Sequence, residues 1–122
     1  MIDLARRAVA CKHWKWLGGT SVVCPAAHDG ATGYTFRVES TCHVLNRGEY
    51  PDLTDKATLG CLLALVREAW NEDYVSTRYS EYVEGGEWDV PVRVQNKGYR
   101  TVVFFKGATE AEALVAALEA AT

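Results

Sequence analysis

Tyr74, Arg78 and Tyr82 share one parity in the stretch 74–83, and Arg93 and Gln95 share one in the stretch 90–95. On extended backbone, residues of one parity point to one face. If the valines of the other parity cover a core, the opposite face gathers Tyr74, Arg78, Tyr82, Arg93 and Gln95, and Arg100 joins them from the strand that follows. Tyrosine rings can stack on a base, and guanidinium groups can grip a phosphate with two parallel hydrogen bonds. That chemistry points to a small nucleotide-type ligand. A solvated outer face with ordinary cross-strand pairs is the plainer account of the same alternation.

A second strip interleaves cations with indoles: Lys12, Trp14, Lys15 and Trp16, with His13 among them. It could stack rings and hold phosphate; two core tryptophans with the lysines in water is the plainer account. Gly18-Gly19 behind it has neither the glycine spacing nor the lysine and hydroxyl of a phosphate-cradling loop. Cys24, His28, Cys42 and His43 are residue types that hold zinc. Adjacent Cys42 and His43 on a strand would point to opposite faces, however, so no metal site and no cofactor is expected. Cys42 beside His28 could make a nucleophile, but nothing in the sequence brings them together. Glu81, Glu84, Glu87 and Asp89 cluster around a hairpin and read as a solvated acidic edge, not a catalytic carboxylate pair.

These residues need elements to position them. The central one is Asp55–Trp70, where Leu59, Leu62, Leu63, Val66 and Trp70 fall on one helical face. Ala57, Cys61, Ala64 and Leu65 widen that face until the helix should be enclosed on more than one side. A short helix from Leu4 to about Cys11 precedes it, capped by Asp3 and turning Leu4, Ala8 and Cys11 inward. Lys12–Trp16, Ser21–Cys24 and Tyr34–Ser40 read as strands or apolar extended pieces; the loop 26–33 and the turns at Asn46-Arg47-Gly48 and Pro51-Asp52 lie between them and the central helix. After it come strands at Tyr74–Val83, Asp89–Gln95 and Tyr99–Phe105. Glu84-Gly85-Gly86-Glu87 and Asn96-Lys97-Gly98 join them as hairpin links, giving an antiparallel meander. Thr109-Glu110-Ala111-Glu112 opens a last helix as a capping box, with Ala111, Leu114, Val115, Leu118 and Ala121 facing inward. The class predicted is α+β: a meander covered on one face by the central and C-terminal helices, in one domain over residues 1–122.

Composition narrows the partners. The 122 residues are 48% hydrophobic and carry a formal net charge of −3, a globular balance without the basic footprint of a protein built to neutralise nucleic acid. No run of about 18 apolar residues suggests a membrane span, and Lys12 and Lys15 interrupt what could follow Arg6 and Arg7 as a secretory signal. A cytoplasmic protein with reduced cysteines is expected. Val102, Val103, Phe104 and Phe105 put apolar groups on both faces of the last strand, so either the strand is covered on both sides or one face meets a partner, most economically a second copy in a homodimer.

The runs PDLTDKATLGCLLALVREAW and EAEALVAALEAA, with ARRAVACKHWKW ahead of them, resemble a group of small accessory proteins encoded by tailed bacteriophages. The resemblance covers both long helices and the amino-terminal segment and not the strands between. In the group, the position of Lys56 is often proline, the residue favoured at the first position of a helix capped by Asp55. The resemblance supplies no catalytic residue, since the group has no established activity. What it implies is a phage accessory gene acting in the host cytoplasm against host defence. Together with the tyrosine and arginine face, the expected function is binding without catalysis: sequestering a small nucleotide-type signal. Docking on a host defence protein, as an anti-CRISPR does, and cleavage of a nucleotide by an enzyme are the alternatives.

Overall fold

The computed structural model describes residues 2–25, 33–39, 48–96 and 98–121. Among them lie three helices and six strands, in the order α1 (Ile2–Ala10), β1 (Ser21–Cys24), β2 (Tyr34–Arg37), β3 (Tyr50–Pro51), α2 (Lys56–Trp70), β4 (Arg78–Ser80), β5 (Glu87–Asn96), β6 (Tyr99–Gly107) and α3 (Glu110–Ala120). The strands form two separate antiparallel sheets, ordered β2-β1-β3 and β4-β5-β6. The chain divides into two compact units, Met1–Cys61 and Leu62–Thr122, the boundary falling inside α2. No helix among the described residues is long and apolar enough to cross a membrane.

In the first unit, α1 buries Leu4, Ala5 and Ala8 and rests against β3, its small side chains permitting a close approach. Cys11 lies just beyond the helix instead of on its inner face, its thiol donating to the Arg7 carbonyl at 3.3 Å. Lys12–Trp16 is not a strand. The amides of Trp14, Leu17 and Thr20 bond back to the carbonyls of Cys11, Lys15 and Leu17, closing local turns, and neither sheet includes the stretch. The two indoles still come together, edge to face at 5.2 Å, with Trp16 against the cluster of Val22, Cys24 and Val38. β2 is shorter than the run to Ser40 and all four of its residues are exposed; only Val38, just past it, is buried. Cys11, Cys24 and Cys61 are free thiols. The loop at 26–32, the turn residues Asn46 and Arg47, and with them His28, Cys42 and His43, lie outside the described residues.

Asp55 caps α2, accepting from the Thr58 amide at 3.0 Å and the Thr58 hydroxyl at 2.8 Å. Arg37 grips the same carboxylate through both terminal nitrogens, at 3.0 and 3.2 Å. These bonds, led by Arg37, lower the Asp55 pKa from 3.8 to about 2. A depressed folded-state pKa means that the stabilisation is complete above pH 3.8 and is lost as the pH falls through about 2. Asn at position 55 keeps a capping oxygen but carries no charge. Urea titrations should therefore show wild type ahead of Asp55→Asn at neutral pH and the gap closing between about pH 4 and pH 2; a gap that persisted unchanged at the acid end would mean the ion pair is not its source.

The buried positions of α2 are Thr58, Leu62, Leu65 and Val66. Leu59, Leu63 and Trp70 are half-buried, and Ala57, Gly60 and Ala64 are exposed, so the helix is not enclosed all round. Its small residues line up with Lys56 and Glu68 along a stripe that faces water.

The second unit contains the expected meander, with α3 and the end of α2 on one of its faces. Val90 and Val92 are buried on that side beneath α3. Trp70 stacks near Phe105, with 5.8 Å between ring centroids, and donates its indole N–H to the Ala117 carbonyl at 2.8 Å. All five inner residues expected of α3 are buried, joined by Ala113 and Ala117. Thr109 caps the helix by accepting from the Glu112 amide, and the Glu112 carboxylate reaches back to the Ala108 amide at 2.8 Å.

β4 is three residues long where a strand from Tyr74 to Val83 was predicted. Extending its register, in which Arg78 pairs with Asp89, would set Ser76 opposite Pro91, and proline has no N–H to give a ladder. Upstream, α2 ends in Asn71, in the left-handed region with φ 51°. The Asn71 amide bonds the Glu68 carbonyl at 3.2 Å and the Glu72 amide bonds that of Arg67 at 3.0 Å, the paired closure of a helix by a residue that tolerates positive φ. Arg67 Nε then holds the Val75 carbonyl at 2.8 Å. Glu72 and Tyr74 are thus delivered by a turn, not a strand, and Val83, expected on the covered side, is exposed.

Candidate functional site

The face of the meander opposite α3 carries Asp89, Pro91, Arg93 and Gln95 from β5, paired in register with Lys106, Phe104, Val102 and Arg100 from β6. Arg78 reaches it from β4, and Glu72 and Tyr74 from the turn after α2. Two adjoining hollows lie there. One, of about 310 Å³, is lined by Glu72, Tyr74, Val75, Arg78, Pro91, Arg93, Val102 and Phe104. The other, of about 240 Å³, is lined by Glu72, Tyr74, Arg93, Val94, Gln95 and Arg100.

Not every cation on this face has a charge to spare. Arg78 makes a forked contact with Asp89, at 2.9 and 3.2 Å, and lies 5.4 Å from the centre of the Phe104 ring. The Asp89 carboxylate raises the Arg78 pKa above its ordinary value. Lys106 sits 3.7 Å from Glu87. Arg93 instead stands over the Tyr74 ring at 5.9 Å, and among the described residues no carboxylate lies within ion-pair distance of Arg93 or Arg100. Those two guanidiniums are the ones available to an anion.

Five of the six residues predicted from parity therefore converge: Tyr74, Arg78, Arg93, Gln95 and Arg100. Tyr82 does not. It sits in the link between β4 and β5, as exposed as in an open chain at 101%, because that link begins at Glu81 and takes it off the sheet. Arg78 is present but as a wall held by Asp89. Val102 and Phe104, expected from the sequence as part of an apolar face for a partner, form with Pro91 the floor of the first hollow; the register parity that places Arg93 places them on the same face. Glu72 had no signal, since its position depends on the turn at Asn71.

The strip Lys12, Trp14, Lys15 and Trp16 belongs to the first unit. Its lysines are exposed and its indoles half-buried. Because the indoles pack edge to face on one another, they do not present parallel faces to a ligand. The acidic edge is also divided: Glu87 and Asp89 are engaged by Lys106 and Arg78, while Glu81 and Glu84 face water. Among the described residues no three of His, Cys, Asp and Glu converge as a metal ion would need.

Comparison with protein-family models finds no match, and neither the curated proteins nor the solved structures provide one.

Proposed function

We propose that this protein binds a small, nucleotide-type anion on the outer face of the β4-β5-β6 sheet, and that it does so as a phage accessory protein sequestering a host defence signal in the cytoplasm. The observation that carries the reading is the convergence of Arg93 and Arg100, two guanidiniums without a carboxylate partner among the described residues, with an exposed tyrosine and an apolar floor in adjoining hollows. Sites for small ligands combine such a floor with a few polar groups that fix orientation. The lining contains one carboxylate, Glu72, and neither histidine nor cysteine, which favours holding a ligand over cleaving it.

Titration of a panel of cyclic and linear nucleotides by calorimetry should identify a binder. Arg93→Ala and Tyr74→Ala should each weaken it by about 1–3 kcal/mol, roughly five- to 150-fold. Melting should barely move, by the equivalent of less than about 0.5 kcal/mol. Tyr82→Ala should leave binding unchanged. Recovery of the ligand intact from denatured protein separates capture from cleavage. The proposal fails if no nucleotide in the panel binds, or if both variants bind like wild type.

A second reading, docking of this face on a protein surface, is favoured by the exposure of Val102 and Phe104, at 47% and 46%. The partner would be a host defence protein or a second copy in a homodimer. Sedimentation of wild type beside Phe104→Ser distinguishes the self-association case, in which the variant shifts toward monomer.

A further inference from the structure

We infer that the ligand of this face is a nucleoside carrying a terminal phosphate, lying along β5 with its ring over Pro91, Val102 and Phe104 and its phosphate at Arg93 and Arg100. The inference rests on the reading of the face as a nucleotide site and adds the ligand's class and direction. The two hollows differ in chemistry and share Glu72, Tyr74 and Arg93. The first is floored by proline, valine and phenylalanine and takes a flat apolar ring; the second ends in Gln95 and Arg100 and takes an anion.

Length limits the ligand further. The register pairs Pro91 with Phe104 and Gln95 with Arg100, rungs four residues apart, which is about 13 Å at the rise of an antiparallel strand. That is close to the reach of one extended nucleoside monophosphate, from base edge to phosphate oxygen. Inorganic phosphate would fill one end only. A dinucleotide would need a second ring platform beyond Arg100, and among the described residues this face offers none, since Tyr99 has the opposite parity on β6.

Glu72 makes chemical sense on this placement. A carboxylate at the phosphate end would repel the ligand, but shared between the hollows it sits where the sugar would lie and can accept hydrogen bonds from ribose hydroxyls. It also discourages the reversed orientation, which would slide the phosphate past it.

The test is calorimetric titration of the ribonucleoside 5′-monophosphates, each beside its parent nucleoside, with inorganic phosphate and a cyclic dinucleotide as further probes. At least one monophosphate should bind about tenfold or more tightly than its nucleoside, and Arg100→Ala should abolish that increment while leaving nucleoside binding alone. Phe104→Ala should weaken nucleoside and monophosphate by the same factor. Raising the salt concentration should erode the phosphate increment in wild type, a readout that needs no variant to fold. The inference is overturned if monophosphates bind no better than nucleosides, or if the increment survives Arg100→Ala. Should the cyclic dinucleotide bind in an Arg93-dependent way while monophosphates do not, the ligand class assigned here is wrong and the nucleotide site stands. Should no nucleotide bind at all, both fall.

Discussion

Leu62→Ala is expected to destabilise the protein by about 2–5 kcal/mol, and Leu63→Ala by about 1 kcal/mol. The two leucines are neighbours on α2, chemically identical and placed on the same face by helical periodicity. Leu62 has no exposed surface; Leu63 retains part of its own. Truncating a fully enclosed side chain loses its transfer free energy and leaves a cavity that the surroundings close only partly, whereas at a half-open position water fills the space. Denaturant unfolding measures both, and the shift should lie in the midpoint with little change in slope. Equal costs for the two variants would mean that the buried seam of α2 does not run through Thr58, Leu62, Leu65 and Val66.

A glycine pair should show opposite signs for one chemical change. At Gly107, where β6 ends, an added methyl group would lie 2.5 Å from the Glu112 Cβ and 2.7 Å from the Ala113 backbone nitrogen. The latter cannot yield easily, because the Ala113 amide makes the first hydrogen bond of α3, to the Thr109 carbonyl at 3.2 Å. Glu112 is tied to the Ala108 amide besides. Gly107→Ala should therefore push α3 away from the strand and cost about 1–3 kcal/mol, the usual penalty of overpacking. At Gly60, in the interior of α2, nothing lies within 4 Å of the added carbon. There the substitution removes glycine's excess freedom in the unfolded chain and should stabilise by about 0.5–1 kcal/mol. Thermal and urea unfolding of the two variants, side by side, would decide it: a stabilised Gly107→Ala would show that β6 and α3 are not in close approach.

What was legible in the sequence is what local rules control. The capping residues Asp55 and Thr109 start their helices where hydroxyl and carboxylate chemistry require. The inner face of α3 follows its 3.6-residue period, since a helix with one apolar stripe has one way to bury it. Parity put Arg78, Arg93, Gln95 and Arg100 on one face, because hairpin links leave β5 and β6 one register and alternation does the rest. Other features were decided by neighbours that alternation does not record. Lys12–Trp16 alternates like a strand, yet local turns close at Trp14, Leu17 and Thr20 and neither sheet includes it. Tyr74 and Tyr82 alternate with their neighbours as strand residues do; the ladder that would have ordered Tyr74 meets Pro91 on the next strand and the closure of α2 at Asn71 turns the chain before β4 begins, while Tyr82 lies past Ser80, where β4 has ended. The same turn brings Glu72 to the hollow, and the pairing of Arg78 with Asp89 and of Lys106 with Glu87 decides which cations remain for an anion. Periodicity records which side a residue faces; only the tertiary structure decides what already occupies that side, because an ion pair or a missing N–H acts between strands and leaves no mark on the alternation within either one.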